Sequence, residues 1–346
     1  RKLWKGDGAR GAPTRVADIH PGSPRSRPRE LTAVGSTLYF FADDGSSGFE
    51  LWKSDGTSAG TTRVADIRPG SPSFASGNIT LVGSTLFFSA NDGSTGEELW
   101  KSDGTSAGTT RVADIRPGIS SSGPRTITAI GNTLYFSADD GSSGRELWKT
   151  DGTSTGTIRV ADIHPGVFTS NPRYLTGVGN TLYFRANDGS SGYELWKSDG
   201  TSTGTIRVAD IYPIYPGRFS SNVRDLTTTD NTLYFSANDG SWGQELWKSD
   251  GTSAGTIRIV DISPGSSGSN PRSITAIGNT LYFIADDGSS GYELWKSDGT
   301  SEGTTRVADI RPGSISSYPG SLRAVGSTLY FSANDGSSGT ELWALD

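Results

Sequence analysis

The sequence has no cysteine and no methionine, and only two histidines, His20 and His164, among 346 residues. Without thiols there are no disulfides, no thiolate nucleophile and no Cys-ligated zinc. Both histidines stand where other copies of a repeated loop carry Arg, so no His-rich metal cluster or Cys-His site can be assembled. No apolar run approaches the ~18 residues of a membrane-spanning helix. Lys and Arg are scattered through a chain of net charge −6, so the basic stripe that tracks nucleic-acid phosphates is missing. Serine is plentiful, but no nucleophile elbow, Gly-x-Ser-x-Gly between a strand and a helix, accompanies it. Helical periodicity is absent. The expectation at the N-terminus is that any signal peptide has been removed or omitted, since Arg1 begins no apolar leader.

Glycine is abundant instead, at 47 residues, roughly twice its ~7% average, and aromatic residues make up 10% of the chain. Gly does not fall at every third position, which excludes collagen, and the aromatics recur at fixed places, which argues against disorder. The chain is a tandem repeat. Trp follows Leu at Trp4, Trp52, Trp100, Trp148, Trp196, Trp247, Trp295 and Trp343, at intervals of 48 residues, with one interval of 51 across 197–247. Thr-Leu-Tyr/Phe-Phe starts at Thr37, Thr85, Thr133, Thr181, Thr232, Thr280 and Thr328. Arg-Val-Ala-Asp-Ile or its variant ends at Ile19, Ile67, Ile115, Ile163, Ile211, Ile262 and Ile310.

Each unit reads as four short strands. In the second unit these are a (Ile79–Val82), b (Thr85–Ala90), c (Glu97–Lys101) and d (Thr110–Ile115). Gly-Ser or Asp-Gly turns separate a from b, b from c and c from d, as hairpins require. Four antiparallel strands at a period of ~40–50 residues are the signature of a propeller blade. The expected fold is therefore all-β: a single seven-bladed β-propeller over 1–346, with four-stranded antiparallel blades. The N-terminal strand d, Thr14–Ile19, is expected to join the C-terminal strands a, b and c within Leu322–Trp343 and close the ring. Trp4 and Trp343 then compete for one c position, and the Glu before Leu342 favours Trp343.

The octapeptide Glu-Leu-Trp-Lys-Ser-Asp-Gly-Thr occurs at 50–57, 98–105, 194–201, 245–252 and 293–300, with Thr150 replacing Ser at 146–153. In this the chain resembles the bacterial ELWxxDGT repeat family, and the likeness extends over essentially the whole chain. The first copy departs from it, reading Lys2-Leu3-Trp4-Lys5-Gly6-Asp7-Gly8-Ala9. The resemblance implies a secreted or cell-surface bacterial protein and supplies no reaction.

The repeated Trp is expected to pack between blades. The Asp of Val-Ala-Asp-Ile (Asp18, Asp66, Asp114, Asp162, Asp210, Asp261 and Asp309) is expected to be a buried blade staple, held by turn N–H groups or a Lys. If strand a runs from top to bottom, the b–c and d–a loops share the top face, where nearly all the variation lies. Arg29, Arg125, Arg173, Arg224 and Arg272 recur just before the expected strand a, with Gly77 and Gly320 in the other two units. They would ring a channel mouth and hold carboxylate, sulfate or phosphate, or else pair with nearby Asp residues. The acidic b–c turns, with Asp44, Asp92, Asp140, Asp188, Asp239, Asp287 and Asp335, suit either calcium or ordinary hairpin chemistry. Tyr212, Tyr215, Phe219 and Trp242 gather around the single three-residue insertion, either to stack on a sugar or anchor a partner, or to cover one another.

An active site needs unlike residues converging once, whereas this chain repeats like residues, so the expectation is no enzyme and no required cofactor, with calcium as an option. The expected function is a lectin-like or adhesive binding propeller that engages a glycan or a cell-surface protein, without nucleic acid or membrane insertion. The other reading is a self-assembling structural module. A single top-face pocket of perturbed carboxylates would instead mark a sialidase- or lyase-type enzyme.

Overall fold

β-Branched and aromatic residues alternate between Gly-containing turns along every repeat, and each such run is a strand. The computed structural model describes residues 2–6, 12–22, 25–70, 74–213 and 220–346, with residues 74–78 described by backbone only. Contacts group the chain into two units, Arg1–Thr169 and Ser170–Asp346. The first holds a hairpin, Leu3–Lys5 with Thr14–Ala17, and three four-stranded antiparallel sheets. The second holds three more four-stranded sheets and a three-stranded one, Gly320–Val325, Thr328–Asn334 and Thr340–Leu345.

Every four-stranded sheet follows chain order a-b-c-d. In the second repeat the strands are Phe74–Val82, Thr85–Asn91, Glu97–Ser102 and Thr110–Arg111. Strand a is thus longer than expected and strand d shorter. Strand a gains residues because its N-terminal part pairs Phe74 with Asn91, before a register slip between Ser76 and Thr80. Strand d loses its ladder after Arg111, although Val112 N still donates to Leu99 O at 2.8 Å.

The sheets stack face on face. Leu86, Phe88 and Ala90 of strand b join Phe41 and Leu51 of the preceding sheet. Phe87 and Leu99 face the other way, into a core with Leu134, Phe136 and Ala138 of the following sheet. A strand buried on both faces reads as a near-continuous apolar run, as Leu-Phe-Phe does here. Trp100 bridges back onto the earlier sheet and is 9% exposed, so the repeated Trp is a packing residue within the four-stranded sheets, whereas Trp4 of the N-terminal hairpin is 56% exposed. Burying one such side chain stabilises by about 2–3 kcal/mol. The second unit repeats the scheme, with Phe235 and Trp247 packed beside Leu195, and Phe283 and Trp295 beside Leu246.

The octapeptide is accounted for residue by residue. Glu98 is wholly buried on strand c and accepts from Ile115 N at 3.1 Å and from Ser122 N at 3.1 Å, so it clips both ends of the d–a loop. Leu99 fills the core. Lys101 Nζ donates to Gly152 O of the next sheet at 2.8 Å, as Lys53 does to Gly104 and Lys248 to Gly299. Ser102 and Thr109 share a 2.7 Å hydroxyl bond across the c–d loop. Asp103 Oδ1 accepts from Thr105 N and Thr105 Oγ1, at 2.9 and 2.7 Å. Gly104 has φ +86° and lies against the Tyr39 hydroxyl, where a side chain would be both strained and crowded. Thr105 Oγ1 accepts from Gly108 N at 3.0 Å.

Two expectations are corrected. The Asp of Val-Ala-Asp-Ile is not the buried staple; Glu is. Strand d is the edge of its sheet, so Asp66, Asp114 and Asp210 face outward and pair with the Arg three residues earlier, at 3.3, 3.8 and 3.4 Å. Nor does the first strand d join the C-terminal strands: it pairs with Leu3–Lys5. Leu3 packs on Phe40, Ala42 and Trp52, Lys2 pairs with Asp18, and Lys5 Nζ reaches Gly56 O at 2.7 Å. Strands close in sequence also pay less loop-closure entropy. Trp343 stays in the last sheet, where its Nε1 donates to Ala333 O at 3.0 Å.

Burial pushes Glu194 up to about 7, against the pull of the Ile211 and Ser221 donors. Between about pH 4.5 and 7 the unfolded chain releases this proton and the folded chain keeps it. The contribution is therefore complete below about 4.5 and lost as pH rises through about 7, a change of roughly 3 kcal/mol at ~1.36 kcal/mol per unit. Denaturant titrations from pH 4.5 to 8 should show a shallower fall in stability for Glu194→Gln than for the parent; equal slopes would contradict the assignment.

Candidate functional site

The b–c turns and d–a loops do come together. Asp43 N donates to Ser26 O at 2.9 Å, Asp139 N to Ser122 O at 3.0 Å, and Asp286 N to Ser269 O at 2.9 Å. The residue after Asp-Ile also lies over the turn glycine of the next sheet: His20 over Gly45, Arg68 over Gly93, Arg116 over Gly141 and Arg311 over Gly336. His164 stacks on Phe168, with ring centroids 5.0 Å apart. The histidines are thus loop-packing residues in separate loops.

The acidic turns are organised by their own donors. Asp92 Oδ1 accepts from Ser94 N at 2.8 Å, Thr95 N at 2.9 Å and Ser94 Oγ at 2.9 Å. Asp44, Asp140, Asp188 and Asp287 repeat the two backbone contacts, and Asp239 accepts from Ser241 N and Trp242 N. Partial burial works against ionisation at Asp44, Asp92, Asp140, Asp188 and Asp287, but the turn donors outweigh it and lower each pKa. At Asp335 the Ser338 and Ser337 amides carry the pKa down to about 2. Arg63 and Arg306 approach Asp44 and Asp287, each at 3.4 Å. Among the described residues no group of three or more His, Asp or Glu converges as a metal centre.

Trp242 is 42% exposed, and the Arg258 guanidinium lies over its ring at 4.5 Å. Tyr212 is half-buried just beyond strand d, Ile206–Ala209, while Tyr215 and Phe219 fall outside the described residues. Pro213, next to Tyr212, and Ser241, next to Trp242, line one hollow of about 360 Å³ with Asp210 and Trp247.

The arginines begin strand a, and a bulge follows each of them. Arg29 pairs with Phe41, but the next ladder pair is Thr32 with Tyr39. The residue after the Arg has positive φ: Glu30 +55°, Thr126 +52°, Tyr174 +58°, Asp225 +54° and Ser273 +55°. A non-glycine residue in this region costs about 1–3 kcal/mol, and a bulge re-aims the side chain beside it. Arg29 lies over Phe49 at 4.1 Å and Arg272 over Tyr292 at 4.3 Å. Arg224 Nη2 donates to Asn270 Oδ1 at 3.3 Å. Arg125 and Arg173 are exposed. In the second unit the bulges, among them Tyr174–Thr176, Asp225–Thr227 and Ser273–Thr275, line a cavity of about 480 Å³. Burial raises the Asp225 pKa there, against Arg224, the Ser273 amide and Arg272.

Sequence reasoning missed the stacking partners. Phe49, Tyr193 and Tyr292 occupy the first residue of strand c. Arg185 stands on strand b between the rings of Tyr174 and Tyr193, at 5.2 and 4.8 Å. The signal was variation inside a constant frame: the aligned strand-b position reads Phe41, Ser89, Ser137, Arg185, Ser236, Ile284 and Ser332. The glutamates with raised pKa, Glu98, Glu194, Glu245 and Glu293, stand one to a sheet and serve backbone donors. Arginine forks and aromatic faces that vary from sheet to sheet suit recognition of anionic and ring-bearing ligands.

The repeated and the unique tryptophans should respond differently to truncation. Trp247→Ala removes a core residue and should cost about 3–5 kcal/mol. Trp242→Ala loses mainly an exposed cation–π contact, at about 0.5–1 kcal/mol. Chemical denaturation of both variants decides this, and equal losses would show that Trp242 is another packing residue.

No protein family and no curated protein matches the chain. Solved structures do. The computationally designed Ika8 protein aligns with a TM-score of 0.53 at 16% identity, over 94% of this chain and 86% of its own. Puromycin hydrolase aligns at 0.51 and 14% identity, over 99% of this chain and 54% of its own. A prolyl endopeptidase aligns at 0.51 and 13%, over 92% and 50%. This chain spans about half the length of the last two. At such identities the likeness is one of fold: an all-β, propeller-like succession of four-stranded antiparallel sheets.

Proposed function

We propose that this chain is a secreted or cell-surface bacterial binding protein without catalytic activity, built as a seven-bladed propeller. It engages a glycan or a surface partner through the face that carries the b–c turns, the d–a loops and the starts of strand a. Seven b strands and seven a strands among the described residues underlie the blade count.

The single observation that carries this reading is the division between repeated and unique residues. Every position of the octapeptide is committed to core packing, loop clipping or inter-sheet bonding. The residues that differ between copies, namely Arg, Tyr, Phe and Trp, lie on or beside the loops and bulges. Function that depends on identity must lie where identity varies. Weak sites repeated on a rigid frame gain strength by avidity. Trp242, half-open beside the hollow at Pro213, offers the aromatic face on which a sugar ring stacks.

A glycan array probed with the full chain, in calcium and in chelator, tests the proposal. The expected result is a coherent family of bound sugars, with binding lost in Trp242→Ala while the melting temperature holds. Loss in chelator would add calcium at the Asp turns. A blank array, together with concentration-dependent self-association in sedimentation, would overturn the reading in favour of a self-assembling scaffold.

A further inference from the structure

Arg185 has no counterpart in the other six repeats, and its surroundings do not neutralise it. On strand b it sits directly opposite Arg173, so two like charges face each other across the ladder. Like charges in that position destabilise a sheet. Arg224 begins strand a of the next sheet and adds a third cation; burial above all lowers the Arg185 pKa, and the charges of Arg173 and Arg224 lower it further. What holds Arg185 is two aromatic faces, Tyr174 and Tyr193. Among the described residues no ion pair joins Arg173, Arg185 or Arg224 to a carboxylate. The Nε groups of Arg185 and Arg224 are buried without a hydrogen-bond partner.

The fold does not call for an arginine here. Ser89 fills the aligned position and bonds to Glu97 at 2.8 Å, and Ser236 does so with Gln244 at 2.8 Å. A half-buried cation opposite a like charge, with a buried Nε free of partners and at a position the sheet fills elsewhere with Ser, is suited to hold an anionic group. Tyr174 also lines the 480 Å³ cavity, so a group held by the arginines would have room beside it for the rest of its molecule.

We infer that Arg173, Arg185 and Arg224 form a binding site for a tetrahedral oxyanion, a sulfate or phosphate ester carried by a larger ligand that extends toward the cavity. Three guanidinium groups meet three peripheral oxygens, and Tyr174 and Tyr193 hold the central fork in place. This rests on the binding role proposed for the arginine series, and it specifies the ligand class.

Calorimetric titration of the full chain at constant ionic strength provides the test. The probes are sodium sulfate, sodium phosphate, a sulfated oligosaccharide and its desulfated form. The sulfated oligosaccharide should bind at least tenfold more tightly than the desulfated one if sulfate esters are the source. Stronger binding of inorganic phosphate than of sulfate would assign phosphate esters instead. In either case Arg185→Ser, which installs the residue found in four other sheets, should weaken binding tenfold or more without lowering the melting temperature. Arg185→Lys keeps the charge but not the fork and should recover only part of the affinity. Arg306→Ala, the same charge loss on an edge strand where the Arg already pairs with Asp287 and Asp309, should change nothing. Unchanged affinity in Arg185→Ser, or no saturable binding of any probe, would overturn the inference. If neutral glycans still bind, and Trp242→Ala abolishes that binding, the inference falls and the wider binding proposal stands.

Discussion

One buried carboxylate in each four-stranded sheet organises the repeat. Glu98, Glu194, Glu245 and Glu293 lie inside the protein, and each takes backbone donors from the far end of strand d and from the Ser that precedes the next strand a. Burying a carboxylate is costly unless its oxygens are fully engaged, and here both are. The Ser that the Glu holds passes its own carbonyl to the first amide of the next b–c turn, as Ser122 does for Asp139. One side chain therefore fixes the loop that leaves its sheet and the turn of the sheet that follows. At the opposite end of strand c, the Lys two places after Leu bonds the next c–d loop. The sheets of Glu98 and Glu245 are thus gripped at both ends, and apolar contacts fill the space between.

That economy explains a chain with only 32% hydrophobic residues. Alternating faces of one b strand serve two cores, so a short apolar run is used twice. Polar residues carry the loops through local bonds, which leaves loop surfaces free to vary without loss of fold. The variation appears at strand-a starts, at the strand-b position of Arg185 and at the first residue of strand c. Bulges with positive φ make those strand-a side chains reach out of the ladder.

Much of this was legible from residues alone. Period, strand order, turn positions and the packing role of Trp all follow from the pattern of Leu-Trp, Thr-Leu-Tyr/Phe-Phe and Asp-Gly. What was not legible depended on direction and pairing. Whether Asp66 or Glu50 points inward depends on strand d being an edge, which no composition reveals. Glu50 proved to be the buried acceptor, holding Ile67 N at 3.0 Å. The pairing of Thr14–Ala17 with Leu3–Lys5 turned on Lys2 replacing Glu by a partner for Asp18. Arg185 is not legible as a site residue because it lies within a strand, where a single substitution in a constant frame carries no motif. The loop residues Tyr215 and Phe219 stand outside the described residues.

Hydrogen exchange tests the central claim most directly, because the clip is made of backbone amides. In the intact chain at neutral pH, the amides of Ile115 and Ser122 should exchange as slowly as those of the adjoining strand Glu97–Ser102, although both lie outside the ladder. The amides between them, such as Ile119 and Ser120 in the open part of the loop, should exchange rapidly. If Ile115 and Ser122 exchange as fast as Ile119 and Ser120, the buried glutamate does not hold the loops, and the account of how this repeat presents its variable residues is wrong.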